Sequence, residues 1–149
     1  MKVLVTGVKG QLGYDVMNEL AKRGYEGVGV DVAEMDITDS AAVEKVISEV
    51  HPDKVVHCAA WTAVDMAEDD DKVAKVRAIN AGGTQNIADA CKKLNCKMTY
   101  ISTDYVFDGQ GTEPWQPDYK DYKPLNVYST NRIDVASPKR NRFAHYMGC

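Results

Sequence analysis

Three glycines between a short apolar run and a helical pattern constrain the fold of this chain more than any other feature. Lys2–Thr6 (KVLVT) is a continuous run rich in β-branched residues, typical of a strand buried on both faces. Gly7, Gly10 and Gly13 follow, and apolar residues then recur every four positions as far as Arg23. At a strand-to-helix turn, such glycines allow a tight turn, close backbone approach to a pyrophosphate and close packing of the helix on the sheet. The segment therefore predicts a dinucleotide-binding loop.

An acid at the end of the next predicted strand supports this interpretation over a plain glycine-rich turn. Asp31 ends a predicted strand at Gly27–Asp31 (GVGVD), 18 residues after Gly13. A carboxylate there accepts hydrogen bonds from the adenosine ribose hydroxyls and disfavours a 2′-phosphate, which favours NADH. Lys9 in the glycine loop could meet a 2′-phosphate, so NADPH remains open.

The rest of the chain alternates predicted strands and helices. This alternation predicts right-handed βαβ units and a parallel sheet, that is, an α/β fold of the Rossmann-type, doubly wound class. Gly82 and Gly83 weaken the helical prediction locally, and residues 103–128 form a long loop of the kind that is usually functional. The predicted elements are helices at Gln11–Arg23, from Thr38 or Asp39 to about Val50 and at about Asp70–Leu94, and strands at Lys54–Cys58 and Lys97–Ser102.

Composition excludes several classes of protein. At 149 residues, 44% hydrophobic and 27% charged, the chain has the makeup of one globular domain. It has no apolar run approaching about 18 residues and no signal-peptide pattern, so we expect a cytoplasmic protein that does not span a membrane. The four cysteines form no CxxC and no metal-ligand spacing, which predicts reduced thiols and no metal site.

Charge is distributed unevenly. Residues 129–149 hold four basic residues and one acid, so the formal total of −4 leaves −7 on residues 1–128. An acidic body argues against a nucleic-acid partner. The few basic residues near the end have no aromatic stacking pattern and are better explained as a solvated segment.

The glycine spacing GxxGxxG, preceded by Thr6, resembles the extended short-chain dehydrogenase/reductase family, most members of which act on nucleotide sugars. The resemblance implies that Asp36-Ile37 contacts the adenine, that the chain passes the cofactor at Ala59-Ala60-Trp61-Thr62, and that the strand before Ser102-Thr103-Asp104 ends beside the nicotinamide. The implied cofactor-binding residues are Gly7, Gly10, Gln11, Leu12, Gly13, Asp31, Asp36, Ile37, Ala59, Ala60, Trp61, Thr62 and Ile101.

A narrower resemblance covers residues 1–128. TGxxGQLG, AAWTAVDMAE, STDYVFDG, the PW of EPWQP and PLNVY closely resemble the dTDP-4-dehydrorhamnose reductase family. The resemblance implies reduction of the 4-keto sugar in dTDP-4-dehydro-L-rhamnose to dTDP-L-rhamnose with NADH or NADPH. It also implies a nucleotide-sugar substrate, a possible homodimer, and Mg²⁺ in some full-length members.

Reducing a ketone requires a proton donor and a group that holds the carbonyl oxygen. By resemblance, Tyr128 is the proton donor, the Thr103 hydroxyl donates to the carbonyl oxygen, and Asp104 touches the sugar nucleotide. Local backbone capping is the alternative role for Thr103. The family has a lysine four residues after the tyrosine to stabilise the phenolate, and this chain has Arg132 there, whose planar fork hydrogen-bonds differently.

We expect the family-like sequence to end after Tyr128. We expect residues 1–128 to form the dinucleotide-binding domain with the start of the active site, and residues 129–149 to be an aberrant, poorly ordered tail with no convincing strand. The substrate domain of the family has no counterpart here, so the expected chain is a truncated, weakly active or inactive form. An altered reading frame after codon 128 would explain this, and translating the coding DNA in the other frames tests it.

Two alternatives remain. One is a non-catalytic NAD(P)-binding module resembling the beta subunit of methionine adenosyltransferase. The other is a different nucleotide-sugar reductase or an epimerase, against which STDYVFDG argues.

Overall fold

A parallel sheet forms the centre of the molecule. The computed structural model describes residues 1–110, 112–116, 119, 121–124, 126–130 and 144–146. Five strands, all pairing in parallel, lie in the order β2-β1-β3-β4-β5. The strands are β1 Lys2–Thr6, β2 Glu26–Val30, β3 Lys54–His57, β4 Lys97–Ile101 and β5 Ala144–Tyr146, and the helices are α1 Gln11–Lys22, α2 Ser40–Val50, α3 Asp70–Arg77 and α4 Thr84–Lys93. The α/β fold and its Rossmann-like sheet are confirmed.

Strand β1 lies between β2 and β3, and this position creates a crevice. Leu4 is aligned with Val28 of β2 on one side and Val55 of β3 on the other. The chain therefore leaves β1 in one direction to reach β2 and later crosses to the opposite side to form β3. In sheets of this kind, ligands bind outside the carboxyl ends of the strands where the order reverses.

The two faces of the sheet are covered by different helices. On one face, fully buried residues of the strands and of α2 and α4 form the main core, including Leu4, Val55, Ile47 and Ile87. On the other face, α1 packs closely on β2, because a side chain at Gly27 would lie 3.1 Å from the Met17 methyl carbon. The continuous apolar character of β1 follows from burial on both sides.

Capping residues set the helix ends largely as predicted. Asp39 is the N-cap of α2, and its carboxylate accepts from the backbone N–H groups of Ala41 at 2.9 Å and Ala42 at 3.2 Å. Gly24, with φ of +70°, reverses the chain after α1. Of the two candidates Thr38 and Asp39, the structure selects Asp39.

The long helix predicted at about Asp70–Leu94 is divided, and that prediction is corrected. A π-helical segment, Ala78–Gly83, separates α3 from α4. Gly83 lies against Ile37, where a Cβ atom would be 2.6 Å from Ile37 Cγ1. The low helix propensity predicted at Gly82 and Gly83 therefore coincides with a close contact between the helix and the segment after β2. None of the helices in the described part of the chain is both long and apolar enough to cross a bilayer.

The segment after β4 is ordered by aromatic stacking where it is described. A 3-10 turn at Asp104–Val106 leads to Phe107, whose ring stacks on Trp115 with centroids 4.7 Å apart. Tyr119 and Tyr122 pack at the same ring.

The prediction that no strand follows Ser129 is wrong. Residues Ala144–Tyr146 form β5, parallel to β4. This strand is three residues long and has no β-branched residue. Its pairing with β4 therefore identifies it as a strand more clearly than its β-sheet propensity does. The rest of the predicted tail, residues 131–143 and 147–149, lies outside the described residues.

Candidate active site

Two adjoining clefts lie at the carboxyl ends of the strands. The larger has a volume of about 690 Å³ and the smaller about 440 Å³. Both are lined by Gly7, Asp31, Ala59 and Ala60, so they form one groove. Of the predicted cofactor-binding residues, the larger cleft is lined by Gly7, Gly10, Gln11, Leu12, Gly13, Asp31, Ala59, Ala60, Thr62 and Ile101.

The glycine loop is shaped by two positions where no side chain fits. Gly7 has φ of +71°, and a Cβ atom there would lie 2.7 Å from the backbone nitrogen of Ala59. A Cβ atom at Gly13 would lie 2.3 Å from the Gly7 carbonyl oxygen. The first contact brings β1 and β3 together at the crevice, and the second lets the start of α1 sit against the turn. Both leave the backbone open to a ligand, as a pyrophosphate site requires.

Asp31 lies at the junction of the two clefts. Its carboxylate accepts from the backbone N–H groups of Lys9 at 3.0 Å and Val32 at 2.9 Å. Burial alone would raise the pKa of Asp31, but these backbone hydrogen bonds outweigh it and hold the pKa below its usual value. The site thus presents an ionised carboxylate, which can accept hydrogen bonds from the ribose hydroxyls and repels a 2′-phosphate.

The structure places the two residues predicted to contact the adenine, Asp36 and Ile37, in different surroundings. Asp36 lines the smaller cleft, and hydrogen bonds from the hydroxyl and backbone N–H of Thr38 lower its pKa. Ile37 lines neither cleft and is buried in the core beside Gly83. Its carbonyl oxygen accepts from the Asn86 side chain at 2.9 Å. Only Asp36 therefore presents its side chain to the groove.

A buried histidine supports the crevice from beneath. His57 Nδ1 lies 2.7 Å from Thr6 Oγ1, and His57 Nε2 lies 3.0 Å from Thr84 Oγ1. Because the Thr84 hydroxyl donates to the Asn80 carbonyl, it accepts from His57 Nε2–H. Nδ1 then accepts from the Thr6 hydroxyl, whose oxygen accepts the Ala59 N–H at 3.2 Å. A neutral ring with the proton on Nε2 satisfies every one of these bonds.

The side chain of Asn80 links these hydrogen bonds to the backbone of Trp61, next to the cleft wall. Its side-chain oxygen accepts the Trp61 N–H at 2.8 Å, and its side-chain nitrogen donates to the Trp61 carbonyl at 3.1 Å. Trp61 lines neither cleft, and its ring lies beneath Lys75, with Nζ 5.8 Å from the ring centroid. Residues 59–61, which pass the predicted cofactor site, are therefore held at both ends.

Tyr128 lines the larger cleft, as the catalytic prediction requires, and is buried with 8% of its surface exposed. Ala67 and Val76 pack against it, and Tyr105 meets it edge-on with ring centroids 6.3 Å apart. Residues 126–130, which we call the tyrosine turn and of which 127–130 are helical, carry it into the cleft.

Thr103 and Asp104, the predicted substrate-contacting residues, line neither cleft. Thr103 caps the 3-10 turn that follows β4, since its hydroxyl accepts from Tyr105 N–H at 3.3 Å and donates to Asp104 at 3.2 Å. Asp104 is exposed. The preceding residue, Ser102, lines the cleft with Tyr128. Arg132 lies outside the described residues.

Sequence reasoning missed several lining residues. Ser102 could have been found from its place beside Thr103 at the strand end. Lys75 gave no signal, because its approach to the smaller cleft depends on how α3 is rotated. Cys58, at the end of the strand predicted at Lys54–Cys58, lines the larger cleft. Burial raises the pKa of its thiol to about 11, so it is protonated at neutral pH. The other lining residues absent from the predicted set are Thr6, Lys9, Val30, Val32, Met35, Thr38, His57, Ala78 and Ile79.

Among the described residues, no three His, Cys, Asp or Glu side chains gather as metal ligands would. The Mg²⁺ expected of some family members stays a prediction.

The glycine turn, the acid after β2 and the groove at the reversal of strand order together define a dinucleotide-binding domain of the Rossmann type. Comparison with known proteins makes this more specific. A family model described as the RmlD substrate binding domain matches residues 1–136. The family resemblance therefore continues past Tyr128, and the expectation that it ends there is corrected. The chain belongs to this family, that of the dTDP-4-dehydrorhamnose reductases, which are oxidoreductases.

Individual relatives agree with this assignment. The dTDP-4-dehydrorhamnose reductase of Streptomyces griseus is 40% identical over 129 residues, covering 87% of this chain and 41% of that protein. The spore coat polysaccharide biosynthesis protein SpsK of Bacillus subtilis is 36% identical over 131 residues, covering 88% of this chain and 45% of that one. The crystal structure of a Bacillus anthracis dTDP-4-dehydrorhamnose reductase in complex with NADP superimposes with a TM-score of 0.90 at 33% identity, covering 98% of this chain and 52% of that one. The chain thus spans about half the length of these relatives.

Proposed function

We propose that this chain is the cofactor-binding half of a reductase that converts dTDP-4-dehydro-L-rhamnose to dTDP-L-rhamnose with NADH or NADPH. One observation carries the proposal: the glycine loop, Asp31 and Tyr128 all line a single groove. A dinucleotide site and a candidate proton donor therefore lie together. The names of the similar proteins support the choice of sugar.

The described residues fit a nicotinamide dinucleotide. The crevice between Gly7 and Ala59 is open only because no Cβ atom fills it, and α1 begins beside it. Gly7, Gly10 and Gly13 would hold the pyrophosphate, and Asp31 the adenosine ribose. When bound, the nicotinamide supplies the hydride. The ionised state of Asp31 supports NADH, whereas Lys9 and the NADP in the Bacillus anthracis complex support NADPH.

The chain's own residues would handle the proton. Tyr128 lines the cleft and would donate its phenolic proton to the ketone oxygen. The Thr103 hydroxyl now donates to Asp104 and would turn to the ketone oxygen when the sugar binds. Asp104 would contact the sugar nucleotide, and Arg132 would supply the positive charge that the family obtains from lysine.

Cofactor titration beside a turnover assay tests this function. We expect the chain to bind NADH or NADPH and to turn over dTDP-4-dehydro-L-rhamnose weakly at most. That turnover should be lost in Tyr128→Phe while cofactor affinity is kept. Failure to bind either nucleotide would refute the dinucleotide site. Binding without turnover in the parent chain would refute reduction by this polypeptide.

A non-catalytic NAD(P)-binding module, resembling the beta subunit of methionine adenosyltransferase, is the second candidate. It is favoured by the fact that, among the described residues, those that line the groove all lie between positions 6 and 128. We accordingly propose residues 1–128 as the cofactor-binding domain. The altered reading frame after codon 128 and the homodimer stay predictions.

A further inference from the structure

One hydrogen bond ties the tyrosine turn to a distant part of the chain. The backbone N–H of Val127 donates to Glu68 Oε1 at 2.8 Å, across 59 residues of sequence. Glu68 ends the 3-10 turn Asp65–Glu68, which we call the docking turn. We propose that Glu68 is a positioning residue that holds Tyr128 in the cleft. This inference rests on the proposed role of Tyr128 as proton donor.

The tyrosine turn shapes itself locally but needs an outside contact to be placed. The Ser129 N–H donates to the Asn126 side-chain oxygen at 2.9 Å, and the Asn126 N–H donates to the Ser129 hydroxyl at 3.2 Å. This reciprocal arrangement is a capping box. Both of its bonds lie between residues of the turn itself, so they define its shape and not its location. The bond from Val127 reaches another element and supplies the location.

The docking turn provides two kinds of contact at once. Ala67, fully buried, packs against Tyr128 together with Val76. The next residue, Glu68, holds the backbone one residue before that tyrosine. Apolar packing is not directional, so the contact with Ala67 does not by itself fix the orientation of the turn. A hydrogen bond from a backbone N–H to a carboxylate oxygen is directional and stronger than one to a neutral acceptor. Together the contacts set both the depth and the rotation of the tyrosine.

Glu68 acts away from the cofactor. It lines neither cleft and is exposed, so its replacement leaves the glycine loop and Asp31 untouched. The neighbouring Asp69 gives a matched control, because its side chain is also exposed and makes no capping hydrogen bond to α3. Removing that carboxylate changes the local charge equally but leaves the bond to Val127 intact.

The test compares Glu68→Ala, Glu68→Gln and Asp69→Ala in the full chain. Amide exchange at Val127 and the ring resonances of Tyr128 are followed by NMR, with NADH titration and steady-state kinetics alongside. In Glu68→Ala we expect Val127 to exchange about tenfold faster, the Tyr128 signals to shift, and kcat to fall while NADH affinity is unchanged. Glu68→Gln keeps an acceptor oxygen and should retain most of the parent behaviour, and Asp69→Ala should match the parent.

Two results would overturn the inference. One is parent-like Val127 exchange and Tyr128 signals in Glu68→Ala. The other is loss of NADH affinity to the same degree in Glu68→Ala and Glu68→Gln, which would indicate a general effect of charge or folding. If the parent chain binds NADH but turns nothing over, the proposed reduction fails, while the exchange and ring signals still decide whether Glu68 positions Tyr128.

Discussion

Two glycines with nearly the same φ angle allow the effect of filling the crevice to be measured separately from the effect of backbone strain. Gly7 has φ of +71° and Gly24 has φ of +70°. Placing an alanine in this left-handed region costs about 1–2 kcal/mol at either position. Their surroundings differ, because a Cβ atom at Gly24 meets nothing within 4 Å, whereas one at Gly7 meets the backbone of Ala59.

The structure sets the size of the additional effect at Gly7. The Cβ atom would lie 2.7 Å from Ala59 N and 2.8 Å from Ala59 Cα, while ordinary contact begins at 3.4 Å. Backbone atoms cannot rotate away as a side chain can, so the walls of the crevice must move apart. Overpacking of this kind costs about 1–3 kcal/mol. Since the same walls line the cofactor cleft, we expect NADH affinity to fall about tenfold or more, equivalent to at least about 1.4 kcal/mol.

Urea unfolding and NADH titration of Gly7→Ala and Gly24→Ala measure the two effects. The free energy of unfolding of Gly24→Ala should fall only by the cost of the backbone strain, and this variant should bind NADH as the parent does. Gly7→Ala should lose more stability and bind weakly. Equal loss of stability in the two variants, with parent-like NADH affinity in Gly7→Ala, would refute the reasoning about the crevice.

Three further predictions concern the groove and its supports. Because backbone hydrogen bonds lower the pKa of Asp31, this residue stabilises the fold above the ordinary aspartate range and loses that contribution as pH falls through the lowered pKa. Asp31→Asn should therefore flatten the acid side of stability measured by urea unfolding against pH, and raise NADPH affinity relative to NADH in titrations. Asp39→Ala removes the N-cap of α2 and should cost about 1 kcal/mol of unfolding free energy, with NADH affinity unchanged. Gly83→Ala forces a Cβ atom to within 2.6 Å of Ile37 Cγ1 and should cost about 1–3 kcal/mol by thermal unfolding; a parent-like Tm would contradict the close contact.

The parts of the fold that were predictable depend on residue type and local spacing. The strand expected at Gly27–Asp31 is Glu26–Val30, and the one expected at Lys54–Cys58 is Lys54–His57. Short apolar runs rich in β-branched residues indicate strands even where burial is incomplete. The glycine loop was predictable for a related reason, because the left-handed turn at Gly7 is a property of the backbone that glycine permits.

The parts that were not predictable depend on partners far along the chain. Gly83 looks like a helix breaker in sequence, and only its contact with Ile37 explains the π-helical segment and the burial of that isoleucine. Glu68 belongs to an acidic run that looks like a solvated helix start, and its bond to Val127 crosses 59 residues. No local pattern encodes either pairing, since each requires the sheet to have formed first.

The hydrogen bonds beneath the crevice have a consequence for the energetics of ligand binding. They run from the Ala59 N–H through Thr6, His57, Thr84 and Asn80 and come back to Trp61, two residues from where they began. These hydrogen bonds order the wall before any ligand arrives. The protein chain at this wall would therefore lose little conformational entropy when a nucleotide binds. Preorganisation of the wall would lower the entropic cost of binding, so more of the free energy of the new contacts would appear as affinity.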